Sequence, residues 1–560
     1  MSRRFTRRSV LVWSAGTAAA GLLAACAPAA QPAPTAAPKA TEAPKPAATS
    51  APVPAATTSP AVTAAPAATQ APAAATQAPS PKRGGTLTLG STAGVQEFNP
   101  FNATVGHTPF MRAVYNSLAR YDAQLNLVPD LAEKWDIAAD GKSVTFKLRQ
   151  GVKFHSGRDF TSADVKASVD FGSTNDRALL REVFKTIKVV ETPDNYTVTF
   201  RFDAANPGMF DLIDGLYMID KNTVEDRAKT GIGTGPFKVD LYVPNDRLEM
   251  SAFKDFWDKG KPYLDKYIFR QIPDSASLSI NLESGAVDLI DGAALTDAAR
   301  LKAAGGRFLV DPGTPGGTIY DVGMNVKSKP FDNKLVRQAI AWSIDRDRFC
   351  KTALQGFSKP TNCIWPTNSW AYFPDLDGKI GFDLDKAKAL LAQAGYATGF
   401  ETTLECSTKV DKGYTDLATI LQADLAKIGI NAKLLDMDST VYTNTNQNLQ
   451  MIFMTHAYGR TTRDPGTTLT GAKAWYLEKE GGWTHIDDPT YAQLKTDLNS
   501  TLDRDKRKAI CRQIQELALD LCFTVPVANR PRMKIYANYV KNMTYNPDDA
   551  FYAGDFWLDK

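Results

Sequence analysis

The sequence predicts a mixed α/β protein with two or three lobes, one of them strand-rich, and three observations predict it. A chain of 560 residues is too long for one hydrophobic core. Hairpin-like stretches of period-two alternation gather between Val128 and Phe202. From Leu335 to Leu435, amphipathic helical stretches alternate with short apolar strands.

The charge balance narrows the function. There are 65 Lys and Arg residues and 61 Asp and Glu, and without Arg3, Arg4, Arg7 and Arg8, which lie in a segment expected to be removed, the two counts are equal. A neutral chain lacks the basic excess that phosphate contacts require, so a general nucleic-acid binder is excluded. Past the N-terminus no apolar run approaches the roughly 20 residues of a membrane span.

The N-terminus reads as an address label over residues 1–25. Arg3-Arg4 and Arg7-Arg8 each offer a twin arginine, and the small apolar residues from Val10 to Ala25 follow. Export in the folded state by the twin-arginine route and export by the general route both remain open. The stretch ends in Leu23-Ala24-Ala25-Cys26, which resembles a bacterial lipobox. That resemblance implies cleavage before Cys26 and acylation of its sulfur and new amino group. Residues 26–83 then form a tether: from Ala27 to Pro81 the chain is Ala, Pro, Thr, Ser and Gln with almost no large apolar residue. Such a segment cannot bury enough surface to offset its ordering entropy. At about 3 Å per residue it could hold a folded body on the order of 100 Å from a membrane.

The body begins near Gly84, where Thr86 to Gly90 alternates as a strand. A helix through Met111, Val114, Tyr115 and Leu118 is expected next. From Val128 to Phe171 the pattern is a short helix, a hairpin and a second helix. Pro129 suits a first helical turn, with Leu131, Ala132 and Trp135 on one apolar face. Asp140-Gly141 supplies the turn, and Val144, Phe146 and Leu148 alternate with Thr145, Lys147 and Arg149. Thr161 opens the second helix, with Asp164 three residues on as the partner of a capping box.

A further hairpin from Lys188 to Phe202 turns at Pro193-Asp194-Asn195. The glycines of Gly231-Ile232-Gly233-Thr234-Gly235-Pro236-Phe237 precede a strand and lack a following Lys-Ser/Thr, so a conformational role outweighs phosphate binding. Gly285 stops a helix before Val287-Asp288-Leu289. In the helix after Pro330-Phe331, Leu335, Ala339 and Trp342 or Ser343 share a face. Asp345-Arg346-Asp347 caps the next segment of the chain. Ala387, Leu390, Leu391 and Ala394 face inward from a helix between Asp383 and Gly395, and Tyr414 to Gly429 is a helix leading into a strand from Ile430 to Leu435.

The run from Val128 to Val165 resembles the signature of the family 5 extracytoplasmic solute-binding proteins of ABC importers, the dipeptide- and oligopeptide-binding proteins, which reads roughly LVPxLAxxWxxxxDGxxxxFxLRxGVxFHxGxxxTAxDV. Gly233-Thr234-Gly235-Pro236-Phe237, Asn325 with Pro330-Phe331 and Val336-Arg337-Gln338-Ala339-Ile340, and the end of the helix at Ile428-Gly429-Ile430 resemble further blocks of the family. The resemblance implies a two-lobed periplasmic-binding-protein-like fold of the class II type. It divides the body into lobe I (84–117, 233–324 and 523–560), a strand-rich subdomain of lobe I (118–232) and lobe II (325–522).

It also implies the site. Phe98 and Asn99 occupy a loop at the ligand cleft, and Tyr458 matches the aromatic that precedes the aspartate pairing with a peptide's α-amino group. In this chain the aspartate position falls on Thr461, flanked by Arg460 and Arg463, with Asp464-Pro465 as the turn beyond. A neutral Thr cannot supply the charge-assisted bond a buried ammonium needs. A shift of one or two residues would give that role to Asp464. Trp365, Trp370 and Trp475 sit among polar and Pro/Gly residues, where they serve either as stacking platforms or as loop packing.

Of the six cysteines, Cys26 is assigned to lipid, Cys350 and Cys363 are candidates for a disulfide, and Cys406, Cys511 and Cys522 leave an odd thiol. On one continuous helix Cys511 and Cys522 would stand too far apart to bridge. His107, His155, His456 and His485 show no metal-ligand spacing, so neither metal nor cofactor is expected. No GxSxG elbow or triad order supports an enzyme. The expectation is a lipid-anchored receptor on the extracytoplasmic face of the membrane. It would capture a solute, peptide first, between two lobes and deliver it to the permease and ATPase of an ABC importer. An oligosaccharide, a carboxylate-bearing solute or nickel are the alternatives, and a secreted hydrolase or a structural surface lipoprotein those of another class.

Overall fold

Val144, Phe146 and Leu148 point into a buried face from the strand Ser143–Leu148, as their alternation requires. Its partner is the strand Ala132–Ile137, with Trp135 opposite Phe146 and Gly141 in the left-handed region (φ 65°) at the turn. Pro129 ends one short strand and Ala132 begins the next, with a bend at Asp130 and Leu131, so the expected helix is absent here. Ala132 to Ile137, mostly exposed beyond Ala132 and Trp135, gains a ladder of cross-strand bonds that an isolated turn of helix could not match. The strands Ile187–Asp194 and Thr197–Phe202 complete a four-stranded antiparallel sheet. The helix Ser162–Thr174 follows Thr161, whose amide and hydroxyl both donate to the Asp164 carboxylate (2.9 and 3.1 Å).

The computed structural model describes residues 80–95, 97–102, 108–122, 124–174, 184–223, 230–313, 317–459, 464–546 and 550–560. Cys26, the arginine pairs, all but the last few residues of the tether, His107, Arg460, Thr461 and Arg463 lie outside them. Among the described residues no helix is long and apolar enough to cross a membrane.

A seven-stranded mixed sheet forms the first lobe. Its order is Phe308–Asp311, Lys534–Ala537, Leu289–Asp291, Thr86–Ser91, Lys266–Gln271, Arg247–Ala252 and Phe237–Val243. The four-stranded sheet shares a hydrophobic core with it, joining Leu87, Leu89 and Phe269 to Phe146 and Phe200. Gly233 and Gly235 explain the glycine cluster. A Cβ there would lie 2.0 Å from the Val114 carbonyl oxygen and 2.5 Å from that of Ala113, so only glycine lets the two segments touch.

A five-stranded sheet builds the second lobe, in the order Ile430–Asp436, Phe400–Cys406, Phe453–Gly459, Thr318–Met324 and Thr524–Asn529. Thr318–Met324 pairs with both Phe453–Gly459 and Thr524–Asn529, so these strands belong to this lobe rather than to the first. The chain thus passes from one sheet to the other between the strands Phe308–Asp311 and Thr318–Met324 and returns between Thr524–Asn529 and Lys534–Ala537, so the expected boundaries after 324 and before 523 are displaced. The helices Lys334–Trp342, Leu384–Gln393 and Lys412–Lys427 start at the caps Asn333, Asp383 and Asp411. In the first of these Val336, Ala339 and Ile340 face the core, with Leu335 only half-buried.

Candidate functional site

The two crossings run side by side. The Arg530 amide donates to the Thr318 carbonyl (2.9 Å) and the Arg532 amide to that of Pro312 (3.0 Å). The Arg530 Nε stands 2.7 Å from the Asp411 carboxylate of the second lobe, and the Arg532 Nε 3.1 Å from the buried Asp291 of the first. Asp411 also caps the helix Lys412–Lys427 through the Gly413 amide (2.8 Å) and lies 3.3 Å from the Tyr320 hydroxyl. A Cβ at Gly413 would sit 2.4 Å from that hydroxyl, so the glycine allows Tyr320 to reach the helix end. Burial opposes the charge of half-exposed Arg530, and Asp411 outweighs it, so its pKa is raised.

A second junction joins the strand-rich subdomain to the second lobe. The Asp464 amide donates to the Asp211 carboxylate (3.1 and 3.3 Å), and the Tyr121 hydroxyl donates to the same group (2.9 Å). Asp464 is occupied elsewhere: its carboxylate takes both arms of Arg507 at 2.6 Å and caps the helix Pro465–Gly471 through the Gly466 amide (2.9 Å). Burial works against the Arg507 charge, but the pairing with Asp464 raises its pKa. Each Asp464 oxygen therefore already carries an Arg507 bond. Trp370 lies beneath the guanidinium groups of Arg507 and Arg504, 5.4 and 5.5 Å from its ring centre.

Other expected site residues lie in the interior. Tyr458 is 2% exposed, its hydroxyl donates to the Ile364 carbonyl (3.1 Å), and its ring meets Trp475 edge to face at 5.4 Å. Trp475 is 0% exposed and packs in turn on Phe523. Both belong to the core of the second lobe. Trp365 does too, its indole N–H donating to the Pro465 carbonyl (3.2 Å). Phe98 packs between Phe110 and Tyr242 in the first lobe, and Asn99 turns the chain by accepting from the Phe101 amide (3.1 Å). The structure therefore brings Asp464 and Trp370 together, through Arg507, and leaves Phe98 and Asn99 in the first lobe's interior. Asp211, Arg507, Asp411 and Arg530 were not anticipated; only Asp411, an Asp just before a helical pattern, carried a readable signal.

The cysteines expected to bridge are free. Cys350 and Cys363 are both buried thiols, as are Cys406, Cys511 and Cys522. Cys363 packs its sulfur against the Phe373 carbonyl (3.7 Å), and burial pushes the Cys350 thiol up to about 12. Among the described residues no three His, Cys, Asp or Glu side chains converge as a metal site. His456 pairs across the strands with buried Asp321 (Nδ1 to Oδ1 3.4 Å), whose pKa burial raises.

Residues 126–516 match the model of the bacterial extracellular solute-binding proteins, family 5. The dipeptide-binding protein of Escherichia coli K12 is 26% identical over 502 residues, which is 82% of this chain and 92% of that protein. The glutathione-binding protein GsiB of Salmonella typhimurium is 31% identical over 335 residues, 59% of this chain and 64% of that relative, so this alignment spans just under two thirds of it. Among solved structures, the binding protein AgaA of A. tumefacien R10 in complex with agropinic acid superposes with a TM-score of 0.69 at 28% identity, over 85% of this chain and 99% of that one.

Proposed function

Since the chain belongs to the bacterial extracellular solute-binding proteins of family 5, we propose that it captures a short peptide between its two lobes and hands it to the permease of an ABC importer. Members of this family are extracytoplasmic binding components that act with permease and ATPase subunits, and they are not enzymes. The observation that carries the peptide reading is the alignment with a dipeptide-binding protein over nearly all of that protein's length.

The two crossings supply the hinge, and the solute lies between the lobes they join. A solute that touches both lobes favours the closed form by its differential contacts, and the closed form is what the permease receives. We assign one wall of the cleft to the second lobe around Trp370 and Arg507. The hinge floor is assigned to Arg530 with Asp411. Cys26 carries the lipid in this reading, and the Ala/Pro/Thr-rich tether lets the body reach the permease.

A carboxylate-bearing solute is the second reading. It is favoured by Arg530, a half-exposed guanidinium at the crossing, and by the likeness to a protein solved with agropinic acid.

Thermal unfolding of the body from Gly84 onward, against free and blocked short peptides, organic acids and oligosaccharides, tests both readings. A true solute at about a hundred times its dissociation constant adds roughly 2.7 kcal/mol. Stabilisation by peptides supports the first reading and by acids alone the second; stabilisation by neither class overturns both.

A further inference from the structure

The five thiols of the body all lie within one span of the second lobe. Cys350, Cys363, Cys406, Cys511 and Cys522 follow the strand Thr318–Met324 and precede Thr524–Asn529, and these two strands pair with each other, Val322 opposite Val525. Each thiol is free and at most 3% exposed. They come from separate elements: Cys406 ends the strand Phe400–Cys406, Cys511 lies in the helix Arg504–Leu521 and Cys522 caps that helix. With Cys350 these three belong to the core of the lobe, and burial raises the pKa of all five thiols.

That core stays open until Thr524–Asn529, the last strand of this sheet in chain order, reaches its partner. A chain threaded unfolded and N-terminus first to the oxidising side of a membrane therefore exposes all five thiols before the lobe can close. An odd number cannot all pair. Any pair that a thiol–disulfide oxidant closes, each thiol giving up one proton and one electron, is a bridge that the folded lobe lacks. In a reducing compartment the same thiols stay free while the sheet forms, and once buried and protonated they are unreactive. The leader carries a second and independent observation. Arg3-Arg4 and Arg7-Arg8 stand before the apolar run from Val10 to Ala25, in the manner of a twin-arginine address.

We infer that the second lobe folds on the reducing side of the membrane, its five thiols buried before export. The partner that carries the protein across is then the translocase that reads paired arginines and passes folded bodies, and not the general channel that threads unfolded chains. Neither half depends on which solute the cleft takes.

The test uses the full chain in a bacterium that has both export routes. Arg3→Lys, Arg4→Lys, Arg7→Lys and Arg8→Lys, made together, keep the positive charge of a general leader and remove the arginine pairs. Exported protein falls roughly tenfold or more in this variant. The retained precursor is folded, with the five thiols of its body closed to maleimide until it is denatured. Deleting the translocase does the same to the native chain. Undiminished export in either case overturns the route. Joined to a leader of the general route in the same strain, the body emerges with fewer than five thiols free after denaturation. Five free thiols at the native yield would show that the lobe needs no reducing compartment, and would overturn folding before export.

Discussion

Arg530 and Arg532 stand two residues apart on the segment that recrosses between the lobes, and each is held by a carboxylate of a different lobe: Asp411 at 2.7 Å and Asp291 at 3.1 Å. Alternation along an extended chain turns one stretch of backbone into a joint pinned on both sides. The two pins differ in strength because they differ in burial. Asp291 is fully buried, whereas Asp411 pairs with a half-exposed arginine. Asp291→Ala strips its partner from a largely buried cation and is expected to cost about 3 kcal/mol in urea unfolding. Asp411→Ala loses mainly a helix cap and about 1 kcal/mol. Equal losses would refute the idea that burial ranks the pins.

The junction of Asp211 with the Asp464 amide ties the strand-rich subdomain to the second lobe. Asp211→Ala removes that acceptor and is expected to shift the open–closed ratio of the solute-free protein about fivefold toward open, since one lost hydrogen bond is worth roughly 1 kcal/mol. Small-angle scattering reads the change as a larger radius of gyration. An unchanged radius would show that this contact does not hold the lobes.

Tyr458 tests the line between core and cleft. With its ring against Trp475 and its hydroxyl on the Ile364 carbonyl, Tyr458→Ala should cost about 3–5 kcal/mol of stability. Tyr458→Phe loses only the hydroxyl's bond, about 1 kcal/mol, and keeps solute affinity. A Phe variant of native stability that binds solute much more weakly would return this side chain to the site.

These residues show what can be read from sequence and what cannot. Helices with a local signature, such as Leu384–Gln393 behind Asp383, are legible because cap and periodicity lie in adjacent residues. So is the hairpin of Ile187–Asp194 with Thr197–Phe202. Ala132–Ile137 reads wrongly as helix, since its strand character comes from pairing with Ser143–Leu148 more than from its own pattern. The lobe to which Thr318–Met324 belongs depends on partners at 453–459 and 524–529, and no local pattern specifies them. The same holds for the junctions: Asp211 and Asp464 are 253 residues apart. Likeness to a family motif puts Tyr458 at the cleft, but a motif carries position along the chain and not the direction in which a side chain packs.

The lipid anchor can be tested independently of the fold. If Cys26 is acylated after cleavage, Cys26→Ser releases the protein from the membrane fraction while leaving solute binding by the body unchanged. Undiminished membrane association in the variant would sink the lipobox reading.

His155 predicts a dependence of stability on acid. Its Nε2 donates to the Gly235 carbonyl (2.9 Å), and its Nδ1 accepts from the Gly233 amide (3.3 Å). A neutral imidazole has one donor and one acceptor and satisfies both; a second proton would face the Gly233 N–H. Burial lowers its pKa to about 4, against about 6.5 in the unfolded chain. Between these values the unfolded state binds more protons than the folded one, so stability falls as the pH drops from about 6.5 to about 4, by about 3 kcal/mol in all. Above pH 6.5 both states are neutral and the contribution is constant. His155→Gln keeps one donor and one acceptor but cannot titrate, so its stability should be flatter over that window when urea midpoints are compared at pH 4.5 and 7. Parallel curves for the two proteins would mean that the imidazole titrates alike in both states, and that burial against Gly233 and Gly235 does not hold it neutral.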